Sequence, residues 1–300
     1  VVWILEGFTA TAAFPLSTLQ QFGTIRTRVR YVRNSVKVTV NAVTGAVDFY
    51  RVPVEDPLLD AYERAFPGLL QPLEQMPAEL RDHVRYSRDM LNLQTRVLHQ
   101  YHQETAPAFH GQQDVWDSPQ ELAQGPSPIA YRPEYGLYAL PGESEARFHL
   151  TTVFVPRDRQ NLTAILAART DERGVPELIL YDVPITDQVP GPRQIEALVE
   201  QDPLISQQFS LWRGAGSEVW TGHLHLVSAG NRILYMEPVF LAAEADAIPE
   251  LRRFVVSDGV RVAMTESLAD AISELSGLAA PEPGAPTAMP ALDAPAGRDA

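Results

Sequence analysis

The chain contains no cysteine, which excludes disulfides, thiolate nucleophiles and cysteine-ligated metals in one step. That absence leaves the compartment open, because a domain with a large core needs no covalent staples. Lysine is almost missing too: of 24 basic residues, only Lys37 is a lysine. The basic residues are outnumbered by 38 acidic ones, and the formal net charge of −14 argues against nucleic acid or an anionic lipid surface as the main partner, since attraction to phosphates requires a basic face. No run of about 18 apolar residues occurs, so none of these segments has the length of a transmembrane helix. There is no G-x-S-x-G nucleophile elbow and no phosphate-binding G-x-x-x-x-G-K-[ST]. Gly214-Ala215-Gly216 lacks the third glycine and the preceding strand of a dinucleotide fingerprint.

What is present suffices for a folded protein: 45% of the residues are hydrophobic, and 300 residues suit one large domain or two ordinary ones. Val1-Val2-Trp3-Ile4-Leu5 reads as the inside of a strand, with neither an initiator methionine nor a signal peptide, so the expectation is a soluble portion of a longer protein. Thr11 to Thr24 reads as a loop. Val36, Val38 and Val40 then alternate with Lys37, Thr39 and Asn41. With a turn at Thr44-Gly45 and a return through Val47 and Phe49, the pattern predicts a hairpin with one buried face.

Asp56-Pro57 combines an N-cap with a proline at the first helical position, and Leu58, Leu59, Tyr62 and Phe66 give the helix that follows an apolar side. Pro77 starts a short helix. Tyr86 to Glu104 is the longest predicted one, with Met90, Leu93, Gln94, Val97 and Tyr101 in one stripe. From Ala106 to Ser127 the chain is rich in Pro, Gln and Gly, which predicts a long connection and a domain boundary. The expected parts are 1–110, a hairpin with helices; 128–277, richer in strands; and a disordered Pro/Ala-rich tail at 278–300. Strands are predicted at Tyr135–Leu140, Phe148–Val155, Ala164–Ala168 and Glu177–Val183. The last folded piece is predicted as a strand pair about Asp258-Gly259 and a helix capped by Thr265 and ended by Gly277.

The stretch from Pro192 to Leu241 is the most informative. A helix carrying Ile195, Leu198 and Val199 restarts at Asp202-Pro203, and Ile205, Phe209 and Trp212 continue at helical spacing to Gly214. From Glu218 the period becomes two: Trp220, Leu224 and Leu226 face one way, and Thr221, His223 and His225 the other. Ser228-Ala229-Gly230-Asn231 turns the chain into Ile233, Tyr235 and Glu237.

The run I-E-A-x-V-x-Q-D-P-x-I-S-Q-Q, followed by L-W, G-S-x-V and L-Y-M-E-P-V-F-L-A-A-E, resembles the C-terminal part of the large bacterial integral membrane proteins of uncharacterised protein family number 0182. Tyr31–Val38, Asp56-Pro57, Phe66–Leu69, Met76–Arg81, Arg159–Leu162 and Leu251–Arg253 agree in the same order, so the likeness runs from about Val1 to Gly277. The resemblance implies a soluble, extracytoplasmic part of a polytopic protein at the cell membrane, with its own transmembrane region as partner. It implies a setting rather than a chemistry. Separately, V-x-V-N-A-x-T-G-x-V at 38–47 is similar to the hairpin of small extracytoplasmic modules called PepSY, a pattern that any Val-rich hairpin with a Thr-Gly turn also produces.

Each candidate site residue has a structural alternative. His99 and His102 lie three apart on a helix with His110 soon after, but they fall off the apolar stripe and no H-E-x-x-H accompanies them. His223 and His225 share a strand face, and a metal there needs a third ligand. Glu196 and Glu200 share a helix face near Arg193, either as an acid–base or cation site or as solvated side chains, with Asp202 serving as a cap. Gln194, Gln201 and Gln207 belong to the same family-specific run. Glu237 lies in phase with Ile233, Tyr235 and Val239, so burial of that face requires a partner for it, unless Pro238 marks an exposed edge or bulge. Arg33 with Asn34, and Arg159 with Asn161, either bind an anion or tie loops together.

The sequence therefore predicts an α+β fold, mostly antiparallel sheet with packed helices. With the resemblance, it implies a non-catalytic envelope domain that binds a small ligand or another envelope protein, with no nucleic acid, cofactor or metal and no named catalytic residue. Two alternatives stay open: a metal-dependent or acid–base hydrolase using Glu196, Glu200 and Asp202 with His223 and His225, and a structural assembly domain.

Overall fold

A computed structural model describes residues 1–23, 27–122, 127–214, 216–229, 232–242 and 248–277. The predicted tail at 278–300 and the Gly230-Asn231 turn lie outside these. The chain divides into two compact units: Val1–His102 with His149–Thr151 and Leu166–Leu180, and Gln103–Phe148 with Thr152–Ile165 and the residues from Tyr181 onward.

The first unit is built on a four-stranded sheet ordered β1-β4-β5-β6: β1 (Val2–Thr11), β4 (Tyr31–Asn41), β5 (Val47–Arg51) and β6 (Leu70–Pro72), with a small ribbon of β2 (Gln20–Phe22) and β3 (Thr27–Val29). The expected loop at Thr11–Thr24 thus contains a strand. β1, β4 and β5 pair antiparallel, and β6 joins parallel after the crossover helix α1 (Pro57–Ala65). α2 (Ala78–Arg81) and α3 (Arg88–Tyr101) follow. The strand at the N-terminus forms as expected, but at the sheet edge, which leaves Trp3 62% and Leu5 49% exposed.

The hairpin forms as expected, with Val38 opposite Phe49 and Val40 opposite Val47, but its buried face is the polar one. Ser35, Lys37 and Thr39 are buried while Val36, Val38 and Val40 are half-exposed. Ser35 and Lys37 are each given partners. Asp56, the N-cap of α1, accepts from Leu58 N–H and Tyr31 Oη at 3.0 and 2.9 Å and also from the Thr9 and Ser35 hydroxyls. Burial pushes its carboxyl pKa up, but the bonds from Ser35, Thr9 and Tyr31 outweigh this and hold it below the ordinary value. Lys37 Nζ donates to Glu6 and to the Arg85 carbonyl at 2.9 and 3.0 Å. A small apolar core of Tyr50, Leu73, Met76 and Val84 sits beside this network.

Between the helices and the later strands, Ala106–Ser127 is not a bare connection. It holds α4 (Ala106–Gly111), capped by Thr105, and the short strands β7 (Trp116–Asp117) and β8 (Gln120–Glu121), the latter paired with β9 (Ile129–Ala130). β10 (Glu134–Tyr138), β11 (Arg147–Pro156), β12 (Ala164–Thr170) and β13 (Pro176–Asp182) are neighbours in that order, with β7 on β11; residues of β11, β12 and β13 belong to both units.

The second unit carries α5 (Pro192–Gln201) and α6 (Pro203–Gly214) against an antiparallel sheet of β14 (Glu218–Thr221), β15 (His225–Ala229), β16 (Arg232–Ala242), β17 (Glu250–Ser257) and β18 (Val262–Thr265), closed by α7 (Leu268–Ser276). The single strand expected from Glu218 is broken in two, and both pieces pair with the same side of β16. Ile195, Val199, Ile205 and Phe209 of the helices meet Leu224, Leu226, Tyr235, Val239 and Val255 of the sheet in one core. α7 is capped by Ser267, which accepts from Asp270 N–H at 3.1 Å, rather than by Thr265. Gly277 ends it at φ 66°, a conformation that favours glycine.

Replacing Asp56 with alanine removes a helix cap and the shared acceptor of two buried hydroxyls. Asp56→Ala is therefore expected to lower the unfolding free energy by at least about 2 kcal/mol in urea denaturation; a loss within about 0.5 kcal/mol would contradict the network.

Candidate functional site

The second unit holds a cleft of about 590 Å³. Glu196, Val199 and Glu200 of α5, Phe209 and Arg213 of α6, Glu218 to Thr221 of β14, Glu237 of β16 and Leu122 line it. Four of these are carboxylic acids and only Arg213 is basic.

Each acid is placed by a local feature. α5 begins at Pro192 with Gly191 before it, where Gln194 Oε1 accepts from Gly191 N–H at 3.0 Å, and the helix turns Ile195 and Val199 inward. Glu196, one residue beyond Ile195, is carried in with them and is only 4% exposed. It accepts from Arg193 Nη1 at 2.7 Å and from Leu122 N–H. Burial pushes its pKa up despite those bonds. Glu200, a turn later, is exposed at the mouth. Glu218 accepts from Trp220 Nε1 at 3.2 Å.

Glu237 is the exception. It sits between Tyr235 and Val239 on the inward face of β16, 2% exposed, and its Oε2 has no hydrogen-bond partner among the described residues. Burial first, then the nearby charges of Glu196, Glu121 and Glu200, raise its pKa to about 8. The carboxyl is therefore neutral at neutral pH, which is how an unpaired buried acid avoids an unsolvated charge. Pro238 does not mark an edge that exposes it, since β16 has neighbours on both sides. Instead, Glu237 and Pro238 lie opposite the break between β14 and β15. Pro238, which has no N–H, loses little there, and its carbonyl accepts from Gly222 N–H at 2.8 Å. A side chain at Gly222 would press on the Pro238 ring, its Cβ only 2.6 Å from Cγ.

The same break carries His223, and His225 opens β15 just after it. Glu121 of β8, 3% exposed, pairs with His223 Nδ1 at 2.9 Å and accepts from Leu224 N–H at 3.3 Å. His225 lies ring to ring with His223 at 4.8 Å, and burial together with that neighbour lowers its pKa. The buried Tyr131, whose pKa burial raises, lies tilted against His223 with ring centroids 4.5 Å apart and donates to the Leu224 carbonyl at 2.8 Å. Among the described residues, no group of three or more His, Asp and Glu is arranged to hold a metal ion, at this pair or at His99, His102 and His110.

These contacts locate the remaining sequence candidates. Asp202 caps α6 through Leu204 and Ile205 N–H, both at 3.0 Å. Gln201 and Gln207 are exposed on the two helices and do not line the cleft. Asn161 ties loops, bridging to Pro190 and donating to the Gln188 carbonyl at 3.2 Å. Arg33 and Asn34 line a separate cleft in the first unit. Glu121 and Tyr131 were not singled out by sequence reasoning, because they lie in or just after a stretch that reads as linker.

The family model described as uncharacterised protein family UPF0182 matches residues 1–212. The chain belongs to the UPF0182 family. It is 40% identical to a UPF0182 protein of Moorella thermoacetica over 283 residues, covering 94% of this chain and 30% of that protein. It is also 40% identical to one of Cupriavidus necator over 296 residues, 97% of this chain and 32% of that one. A UPF0182 protein of Parasynechococcus marenigrum is 39% identical over 91% of this chain and 30% of its own length. This UPF0182 chain thus spans under a third of the curated relatives it matches. No solved structure matches it.

The sign of the Glu237 linkage is set by its two pKa values. An ordinary carboxyl ionises near 4.5 and the folded one near 8, so between these values the folded state holds a proton that the unfolded state has released. Stability contributed by this site therefore falls as pH rises through that window, at up to about 1.4 kcal/mol per pH unit, and levels off above it. Glu237→Gln removes the slope. In urea denaturation its stability relative to the parent is expected to rise from about pH 5 to about pH 8; a pH-independent difference would contradict the assignment.

Proposed function

We propose that this chain is a non-catalytic, ligand-binding part of a longer bacterial envelope protein, and that the cleft of the second unit takes an organic cation. The setting is supported by the family resemblance and by the chain's short share of its relatives' length. In that setting the rest of the protein, including a transmembrane region, is its structural partner, and the domain itself faces the extracytoplasmic side. None of the described helices is long and apolar enough to cross a membrane.

The observation that carries the ligand reading is Glu237: a buried carboxyl lining the cleft with one oxygen unpartnered, among Glu196, Glu200 and Glu218. An ammonium group entering there donates to Glu237, displaces its proton and meets the charge of Glu200 at the mouth. The faces of Phe209 and Trp220 and the side chains of Val199 and Val219 suit an apolar body attached to it. Such a ligand fits better than a metal ion, for which the donor geometry is missing among the described residues.

One feature favours a second reading, an acid–base enzyme: a carboxyl held protonated in a cleft beside other acids is the arrangement a general acid requires. That reading expects turnover of a hydrolysable substrate, abolished in Glu237→Gln.

Calorimetric titration with phenethylamine, its neutral analogue phenethyl alcohol and benzoate tests the binding reading. Phenethylamine is expected to bind with release of a proton, more tightly at pH 9 than at pH 6, and about tenfold or more weakly to Glu237→Gln. Equal binding of the alcohol, or no binding of the amine, would overturn it.

A further inference from the structure

The first unit contains a second cleft of about 320 Å³, with the opposite chemistry. Arg33, Asn34 and Lys37 of β4, Val52 and Val54 after β5, Arg85, Tyr86 and Ser87 leading into α3, Met90 and Gln94 of α3, and Thr170 to Leu178 line it. Three cations lie in this wall and no carboxylate does, in a chain where acids outnumber bases 38 to 24. The first turn of the 14-residue helix α3, capped by Ser87, adds the positive end of its dipole. We propose that this cleft binds a small organic carboxylate with an apolar tail, independently of the cation site in the second unit.

Lys37 is the anchor. It is the chain's single lysine, 3% exposed, and it faces the cleft with a charge that burial makes costly. Two of its three donors reach Glu6 and the Arg85 carbonyl, and the third is left for a ligand. Glu6 offsets the charge of Lys37, so Arg33 supplies the excess that selects an anion. Arg33 is exposed over the Tyr31 ring at 5.7 Å, and its planar fork matches the geometry of a carboxylate.

Asn34 supplies a second, separate sign. Its Oδ1 is buried without a partner, and no side-chain hydrogen bond holds the amide among the described residues. Half a turn of the amide breaks no bond and presents its NH2 to an acceptor. An acceptor-only ligand group completes Lys37, and Asn34 as well once its amide has turned. Opposite these polar groups, Val52, Val54, Met90, Pro176 and Leu178 form an apolar wall that a bare inorganic anion leaves unused. A carboxylate carrying a short aliphatic or aromatic tail uses both walls.

The test titrates the purified chain with sodium octanoate, inorganic phosphate and octylamine, read by calorimetry at low ionic strength. Octanoate is expected to bind with a stoichiometry of one to this cleft, and phosphate and octylamine at least about tenfold more weakly. Arg33→Gln and Leu178→Asp change exposed positions and leave the fold intact. Each is expected to weaken octanoate about tenfold or more, while Glu237→Gln leaves it unchanged. Octylamine or phosphate binding as tightly as octanoate, or octanoate affinity unmoved by both first-unit variants, would overturn the proposal. Loss of phenethylamine binding with octanoate retained would reject the second-unit reading alone.

Discussion

An acid side chain removed from water, with an oxygen that meets no donor, must stay neutral or be driven out of the fold. Glu237 is under that constraint, and much of the second unit is arranged around it. Its inward position follows from the alternation of β16, where Tyr235 and Val239 on either side are among the most buried residues. A shift of one residue would expose all three, so the hydrophobic register fixes the acid in place. The break between β14 and β15 opens the sheet beside it, and α5 brings a second acid, Glu196, toward the same space. Glu196 is satisfied by Arg193 and a backbone N–H, and Glu121 by His223; Glu237 alone is left to be neutralised by a proton. The cleft is therefore a place where proton and cation compete for one carboxyl.

The first unit solves a similar problem with the opposite sign. There the polar face of a hairpin is turned inward, and a buried ammonium and carboxylate are each given several partners. Such networks stabilise only when every member is satisfied, which is why Thr9, Ser35 and Tyr31 all converge on Asp56. The incomplete members, Lys37 with a donor to spare and Asn34 with an orphaned oxygen, both lie at the wall of one cleft. Two units of one acidic chain thus present clefts of contrary charge, each with an unsatisfied polar group at its wall.

Much of this fold can be read in the residues. The D-P helix starts, the Thr44-Gly45 turn and the strand periods of 147–183 are local signals, and local hydrogen bonding decides them. The α+β character and the antiparallel pairing follow from them. The face of the hairpin was not legible, because valine alternating with polar residues reads as apolar-in when no partner is visible. Partners for Ser35 and Lys37 come from segments up to 48 residues away. The strand break at Gly222 was hidden for the same reason: the period of two continues through it, and only the close approach of Pro238 requires glycine. In the site, the burial of Glu237 was visible in its phase. Glu121 was not, since a two-residue strand in a Pro/Gln-rich stretch carries no periodicity.

The central claim is that Glu237 is a neutral acid lining an acidic cleft. A carbon-13 NMR titration of the glutamate side-chain carboxyls, with the Glu237 resonance assigned by its loss in Glu237→Gln, tests it most directly. The account requires a midpoint near pH 8. A midpoint near the ordinary carboxyl value of 4.5 would contradict it.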